Sequence, residues 1–225
     1  MPLLISYAHF SIKVVTMPIE RELKFSLLED FPSFEELAEV FRTSGYTLSV
    51  QDALQQHDRY YDDEVETLKQ RGLALRRRSV NGEVMATLKR QGEVAGALHE
   101  RLELELPMTS GTWPGPVIRP VSTLTDPTKL RIQLELITER LNYAVVQDGV
   151  ALARVSFDDV SASYPQSEQS VHFTEAEIEA LGDTPSETLQ GVADVIDRVV
   201  RLTPNPVNKV ARAEALLSLG ASFNE

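Results

Sequence analysis

A chain of 225 residues, 42% of them hydrophobic, is long enough to bury a core and reads as one domain with some decoration, which excludes disorder as its main state. The formal charge of -12 speaks against a nucleic-acid partner, which would need a positive footprint for phosphates. The absence of cysteine excludes disulfide frameworks, thiolate metal sites and cysteine nucleophiles, so any metal must be held by oxygen or imidazole.

No stretch reaches the roughly 18 consecutive apolar residues of a membrane helix, and residues 1–16 lack a basic segment followed by a small-residue cleavage site. A cytoplasmic protein with no membrane partner is expected; the oligomeric state is left open. Met17 stands just before the first strongly patterned segment, so residues 1–16 are expected to be an N-terminal extension ahead of a domain over residues 17–225.

Residues 19–25 alternate as a strand with Glu20, Glu22 and Lys24 on one face. Ser33 and Glu36 form a capping-box pattern, and Phe34, Leu37, Ala38 and Phe41 recur at helical spacing until Gly45. A polar and aromatic strand is expected over residues 55–62, then one over residues 73–80 with Arg76 and Arg78 on one face. Asn81-Gly82 is the strongest hairpin signal, returning the chain through residues 83–90 with Met85, Thr87 and Lys89 on one side. Residues 99–106 set Arg101, Glu103 and Glu105 opposite Leu102, Leu104 and Leu106; these charges either line a lumen or form a salt-bridged outer face.

Residues 107–120, with Trp113, read as a long connection, and Asp126-Pro127 opens a short helix. A strand over residues 137–146 turns at Asp148-Gly149 into another over residues 150–160. Residues 161–170 read as a polar loop, and residues 173–180 alternate with Glu175, Glu177 and Glu179 on one face. Two helices close the chain, capped at Thr184-Pro185 and at Asn205-Pro206, the first with a Leu189, Val192, Ile196 and Val199 stripe, the second ended by Gly220. His9, His57, His99 and His172 show no metal spacing, and Asp58 and Asp62 read as structural or rim residues.

One strand with an apolar and a charged face is ordinarily an amphipathic sheet against water. Here Glu-x-Glu-x-Lys, Arg-x-Arg and Glu-x-Glu recur on separate strands. If those strands close on themselves, the charged faces meet in a polar lumen and the apolar faces turn outward under helices.

The segment Ile19-Glu20-Arg21-Glu22-Leu23-Lys24-Phe25 resembles the Glu-x-Glu-x-Lys signature of the CYTH family, the triphosphate tunnel metalloenzymes, which include class IV adenylyl cyclases, thiamine triphosphatases and bacterial inorganic triphosphatases. The likeness continues in order through Asp58-Arg59-Tyr60-Tyr61-Asp62, Leu73-Ala74-Leu75-Arg76-Arg77-Arg78, Ala86-Thr87-Leu88-Lys89, Phe157-Asp158-Asp159 and Glu177-Ile178-Glu179. It implies an α+β fold, a closed antiparallel eight-stranded β-barrel flanked by helices, and Mg²⁺- or Mn²⁺-dependent hydrolysis of a linear triphosphate, with inorganic tripolyphosphate leading. Thiamine triphosphatase, adenylyl cyclase and a noncatalytic binder of polyphosphate or nucleotide are the alternatives. The resemblance gives Glu20, Glu22, Asp158, Glu177 and Glu179 to metal and Lys24, Arg76, Arg78, Lys89, Arg140 and Lys209 to phosphate. Glu22, Glu179 and Lys24 are the candidates for catalysis. Glu175 adds a carboxylate, so which two of Glu175, Glu177 and Glu179 serve metal is open, and the Asp158-Asp159 pair leaves the register open by one.

Overall fold

The computed structural model describes residues 19–109 and 111–221; the expected extension over residues 1–16, and His9, lie outside the described residues. The first strand, β1 (Ile19–Leu27), leads to α1 (Phe34–Thr43), whose capping box at Ser33 and Glu36 is formed as expected. A long strand, β2 (Thr47–Asp62), passes through a short α2 (Thr67–Gln70) into the hairpin of β3 (Leu73–Val80) and β4 (Glu83–Arg90). A short β5 (Glu93–Ala95) folds onto β6 (Leu98–Pro107). A Cβ at Gly92 would stand 1.8 Å from the Glu100 carbonyl oxygen, so only glycine allows that close return. Then come α3 (Gly115–Ser122), a 3₁₀ turn (Pro127–Lys129), the β7 (Arg131–Gln147) and β8 (Val150–Ser163) hairpin, β9 (Ser170–Ala180), α4 (Ser186–Ile196), β10 (Thr203–Pro204) and α5 (Lys209–Ala221). Both hairpin turns have positive φ at both central residues, Asn81 and Gly82 at 50° and 80°, Asp148 and Gly149 at 50° and 79°, the mirror-image turn that matches strand twist.

All pairings are antiparallel, in the order β1-β9-β8-β7-β2-β3-β4-β6, and β6 pairs back onto β1 with Glu20 opposite Arg101 and Glu22 opposite His99. The ring is a closed eight-stranded barrel. β5 and β10 are short additions outside it.

The two faces of the wall sort as alternation demands. Leu23, Phe25, Val155, Phe157, Ala176 and Ile178 face outward under Leu37 and Phe41 of α1 and Leu189, Val192 and Ile196 of α4. Leu75, Ala86, Leu88 and Leu104 lie under Leu68 of α2 and Val117 and Val121 of α3. Burying a side chain of this size is worth about 1.5–3 kcal/mol, so the helices hold the barrel from outside. At one end the interior itself turns apolar: Leu134, Leu136, Val160, Ala162 and Phe173 meet Ala213 and Leu217 of α5. Register puts these residues on the inner face, with Leu136 opposite Asp58 and Val160 opposite Thr138. Thus α5 closes that end. The connection before it is tied down by Asn205, whose N–H donates to the Lys24 carbonyl at 2.9 Å and whose carbonyl meets His99 Nε2 at 2.9 Å.

Several expectations are corrected. The connection over residues 107–120 contains most of α3, with Pro120 accommodated near its end. The strand expected over residues 55–62 begins at Thr47, interrupted by a register shift between Val50 and Asp52 that hid the alternation. β8 runs on to Ser163 and β9 starts at Ser170, shortening the polar loop. Pro185 itself occupies the N-cap of α4, while the Thr184 hydroxyl donates to Leu181 O rather than capping. For α5 the capping side chain is Asn208, which accepts from Ala211 N at 3.0 Å, three residues past the Asn205 site expected, and Gly220 lies within the helix.

Candidate active site

Three groups of ion pairs fill the lumen. On β1, Lys24 Nζ lies 2.5 Å from Glu177 Oε1 on β9 and 3.3 Å from Glu22 Oε1. Arg140 of β7 donates to both Asp158 oxygens, at 2.6 and 2.5 Å, and to Glu177 at 2.5 Å. From α5, Lys209 Nζ reaches Asp158 and Glu175 at 2.6 Å and Glu177 at 2.8 Å. The second group lies on β2, β3, β4 and β6: Arg78 grips both Asp58 oxygens, at 2.7 and 2.6 Å, while Arg76 donates to Thr87 and Glu105 at 3.1 Å. In the third, Arg101 of β6 donates from Nε to Glu20 at 2.7 Å and from Nη2 to Glu22 at 2.5 Å, and Lys89 lies 2.8 Å from Glu103.

The electrostatics follow from burial and pairing together. Burial disfavours the Lys24 ammonium, but Glu177 and Glu22 outweigh it and raise its pKa. Burial likewise opposes ionisation of Asp58, Asp158 and Glu177, and their basic partners reverse it, holding all three low. Glu103 is brought down to about 2, against burial, by Lys89, a bond with Glu20, and Arg76. Lys89 moves the other way: burial and the neighbouring Arg101 lower it. Glu179 alone among the expected metal carboxylates is raised, by burial first and then by Glu20, Glu22 and Glu177, which outweigh Arg154 at 3.1 Å.

Six of the expected site residues, Glu22, Lys24, Arg140, Asp158, Glu177 and Lys209, thus fall in one connected network. Glu20 and Lys89 stand beside it, 3.4 Å apart, and Arg76 and Arg78 share Asp58. Glu179 sits farther out, its only ion pair among the described residues the half-exposed one with Arg154. The register question is resolved: Asp158 points inward and is wholly buried, while Asp159 points outward to His172. Asp62 is structural, accepting from the backbone of Asp63, Leu68 and Lys69. Asp58 is no rim residue but a buried counter-ion, 1% exposed. Arg101, Glu103 and Glu105 face the lumen and are also salt-bridged. Arg154 escaped the sequence reading, though it shares the inward parity of Ser156 and Asp158 on β8.

Carboxylate oxygens of Asp158, Glu175 and Glu177 lie within 4.8 Å of one another. Both Glu175 oxygens are buried without a hydrogen bond, although Lys209 Nζ lies 2.6 Å from one and Arg212 3.6 Å from the other. The Lys209 ammonium stands among these three carboxylates, and an all-oxygen set of this kind, with Glu179 nearby crowded by like charges, suits a hard divalent cation.

A family model for the CYTH domain matches residues 18–213. The chain belongs to the CYTH domain family. No curated protein sequence matches it. Among solved structures, this CYTH chain is similar to a protein from Hippeastrum proposed as an adenylyl cyclase and described as revealing a dominant triphosphatase activity, at 16% identity and a TM-score of 0.62, covering 87% of this chain and 95% of that one. A protein from Bacillus halodurans proposed as an adenylate cyclase is similar at 19% identity and a TM-score of 0.54, over 85% and 95% of the two chains. A Pyrococcus horikoshii protein follows at 18% identity and a TM-score of 0.50, over 88% and 98%. At these identities the likeness establishes the CYTH tunnel fold. No helix among the described residues is long and apolar enough to cross a membrane.

Proposed function

We propose that this protein hydrolyses a linear triphosphate, inorganic tripolyphosphate first among them, within the barrel and with the help of Mg²⁺ or Mn²⁺. The observation that carries the reading is the balance of charge in a buried lumen: Lys24, Arg76, Arg78, Lys89, Arg140 and Lys209 are each paired with an inward carboxylate. A triphosphate bears about four to five negative charges and is prohibitive to bury without partners. Lys24, Arg140 and Lys209 can turn to phosphate only if something else takes Glu177 and Asp158, while Arg76, Arg78 and Lys89 keep Glu105, Asp58 and Glu103 as counter-ions. The family likeness and the triphosphatase activity described for the Hippeastrum protein support the same reading.

Glu20, Glu22, Asp158, Glu177 and Glu179 would hold the metal, with Glu175 beside them. Bound there, it would neutralise phosphoryl oxygens and acidify an attacking water. The protein's own part is positioning. Arg76 and Arg78 present planar forks that grip two oxygens at once, and Lys24 stands between Glu22 and Glu177, where a phosphoryl group and its metal would meet. Glu179, with its pKa raised, or Glu22 across from it would take the proton of the water.

One cleft supports an inorganic substrate: among the described residues it is lined by Gln51, Asp52, Asn142, Ala144, Arg154 and Leu181, which offer no aromatic ring to stack a base or a thiazolium. A noncatalytic anion binder would gain nothing from so many inward carboxylates. The test is phosphate release from tripolyphosphate, thiamine triphosphate and ATP, each with Mg²⁺ and with Mn²⁺, with a search for cyclic AMP. Rapid metal-dependent release from tripolyphosphate alone supports the reading; tight binding without turnover of any of the three leaves a binder and overturns it.

A further inference from the structure

Arg101 holds both carboxylates of β1 at once. Glu20 and Glu22 lie two residues apart on one strand face, and the Arg101 guanidinium spans them, at 2.7 Å from Glu20 Oε2 and 2.5 Å from Glu22 Oε1. The fork is enclosed, with the Arg101 side chain 14% exposed and that of Glu22 4%. Register explains the fit, since Glu20 is the direct cross-strand partner of Arg101. These oxygens are among those the proposed function gives to the metal. A divalent cation and a guanidinium cannot share them without close repulsion in a poorly solvated site. Nor can arginine leave by losing its proton, because its pKa lies far above neutrality and these carboxylates raise it further against burial. It can only swing away, and a buried guanidinium that swings away needs another anion.

We propose that Arg101 is an exchange cation: it occupies the Glu20–Glu22 site in the metal-free protein and transfers to a phosphoryl oxygen of the triphosphate when metal displaces it. This rests on the triphosphate reading and deepens it, adding a phosphate contact and coupling the two ligands. Metal alone must strip Arg101 of its partners, and triphosphate alone must meet carboxylates still in place. Each ligand therefore binds weakly without the other, and by linkage each strengthens the other by the same factor. Lys89 lies 3.4 Å from Glu20 but, unlike Arg101, has a closer carboxylate outside the metal set, Glu103 at 2.8 Å, to keep when metal takes Glu20.

The test uses the full chain and two variants, Arg101→Met, of similar length without charge, and Arg101→Lys, which keeps the charge but cannot fork. Mn²⁺ binding to the ligand-free protein is measured by electron paramagnetic resonance. Binding of a nitrogen-bridged, nonhydrolysable tripolyphosphate analogue is measured by calorimetry at saturating Mn²⁺. Arg101→Met is expected to bind Mn²⁺ at least tenfold more tightly than wild type and the analogue at least tenfold more weakly, with Arg101→Lys between. If Arg101→Met fails to fold, the lysine variant carries the test with the same signs. Unchanged or weaker Mn²⁺ binding in the variants, with wild type binding both ligands, overturns the exchange alone. Wild type that binds neither ligand overturns the triphosphate reading and the exchange with it.

Discussion

Glu22 and Glu179 are direct partners across the β1–β9 pairing, while Lys24 meets Glu177 one inward position farther along. A like-charged pair thus sits beside an oppositely charged one. Like charges directly opposed destabilise a sheet by up to about 1 kcal/mol, and the pKa of Glu179 is raised by its burial first and then by Glu20, Glu22 and Glu177. Its folded pKa lies above its unfolded one, so its ionisation works against folding once pH passes the ordinary carboxylate range. Glu179→Gln should therefore raise the stability of the metal-free protein at neutral pH by up to about 1 kcal/mol, read by urea denaturation. At saturating metal it should lower the single-turnover rate more than tenfold. A stable variant with an unchanged rate would remove Glu179 from the chemistry and leave Glu22 as the base.

Lys24→Met is expected to do the reverse to stability. It removes the ammonium shared by Glu177 and Glu22, both nearly buried, but Glu177 keeps Arg140 and Lys209 and Glu22 keeps Arg101, so the cost should fall below the roughly 3–5 kcal/mol of a fully broken buried pair. Added Mg²⁺ should recover part of that loss, because Glu22 and Glu177 are among the carboxylates expected to hold it. Thermal unfolding with and without Mg²⁺ measures both.

Acid should unfold the barrel through its lumen. Asp58, Asp158, Glu177 and Glu103 all have folded pKa values below their unfolded ones, so each contributes stability that is fully present above the ordinary carboxylate range and is lost as pH falls through the folded value. For Glu103 that value is about 2. The melting temperature should hold level down to roughly pH 5 and fall steeply between about pH 4 and 2. Glu103→Gln should flatten part of that fall, and a melting temperature constant down to pH 2 would contradict the assignment.

The apolar end of the lumen predicts a different sensitivity. Leu217 of α5 is wholly buried against Leu134, Leu136 and Phe173, and Leu217→Ala should cost about 2–5 kcal/mol. Amide hydrogen exchange should show the loss concentrated in α5 and the inner residues of β7 and β9, with α1 and α4 little changed.

The wall was legible because strand alternation and two hairpin turns are local. Residues 73–80 and 83–90 fall where β3 and β4 do, and Glu20, Glu22 and Lys24 read as one face by parity alone. What local pattern could not supply was which cation meets which carboxylate. Arg101 and Glu103 look the same on a solvent face as in a lumen, and only closure of β6 onto β1 places Arg101 against Glu20. Nor could it show that Leu134, Leu136 and Phe173 are interior residues, because an apolar inward face looks like an outward one until α5 covers it. The Asp158-Asp159 ambiguity had the same origin, since a one-residue slip exchanges the two faces.

The central claim is that metal must take the lumen carboxylates before triphosphate can take the cations. Its most direct test is calorimetric titration of wild-type protein with the nitrogen-bridged tripolyphosphate analogue, once with saturating Mg²⁺ and once with a chelator. The account predicts binding at least a hundredfold tighter with Mg²⁺, and its loss in Arg76→Ala. Binding as tight in chelator as in Mg²⁺ would contradict it.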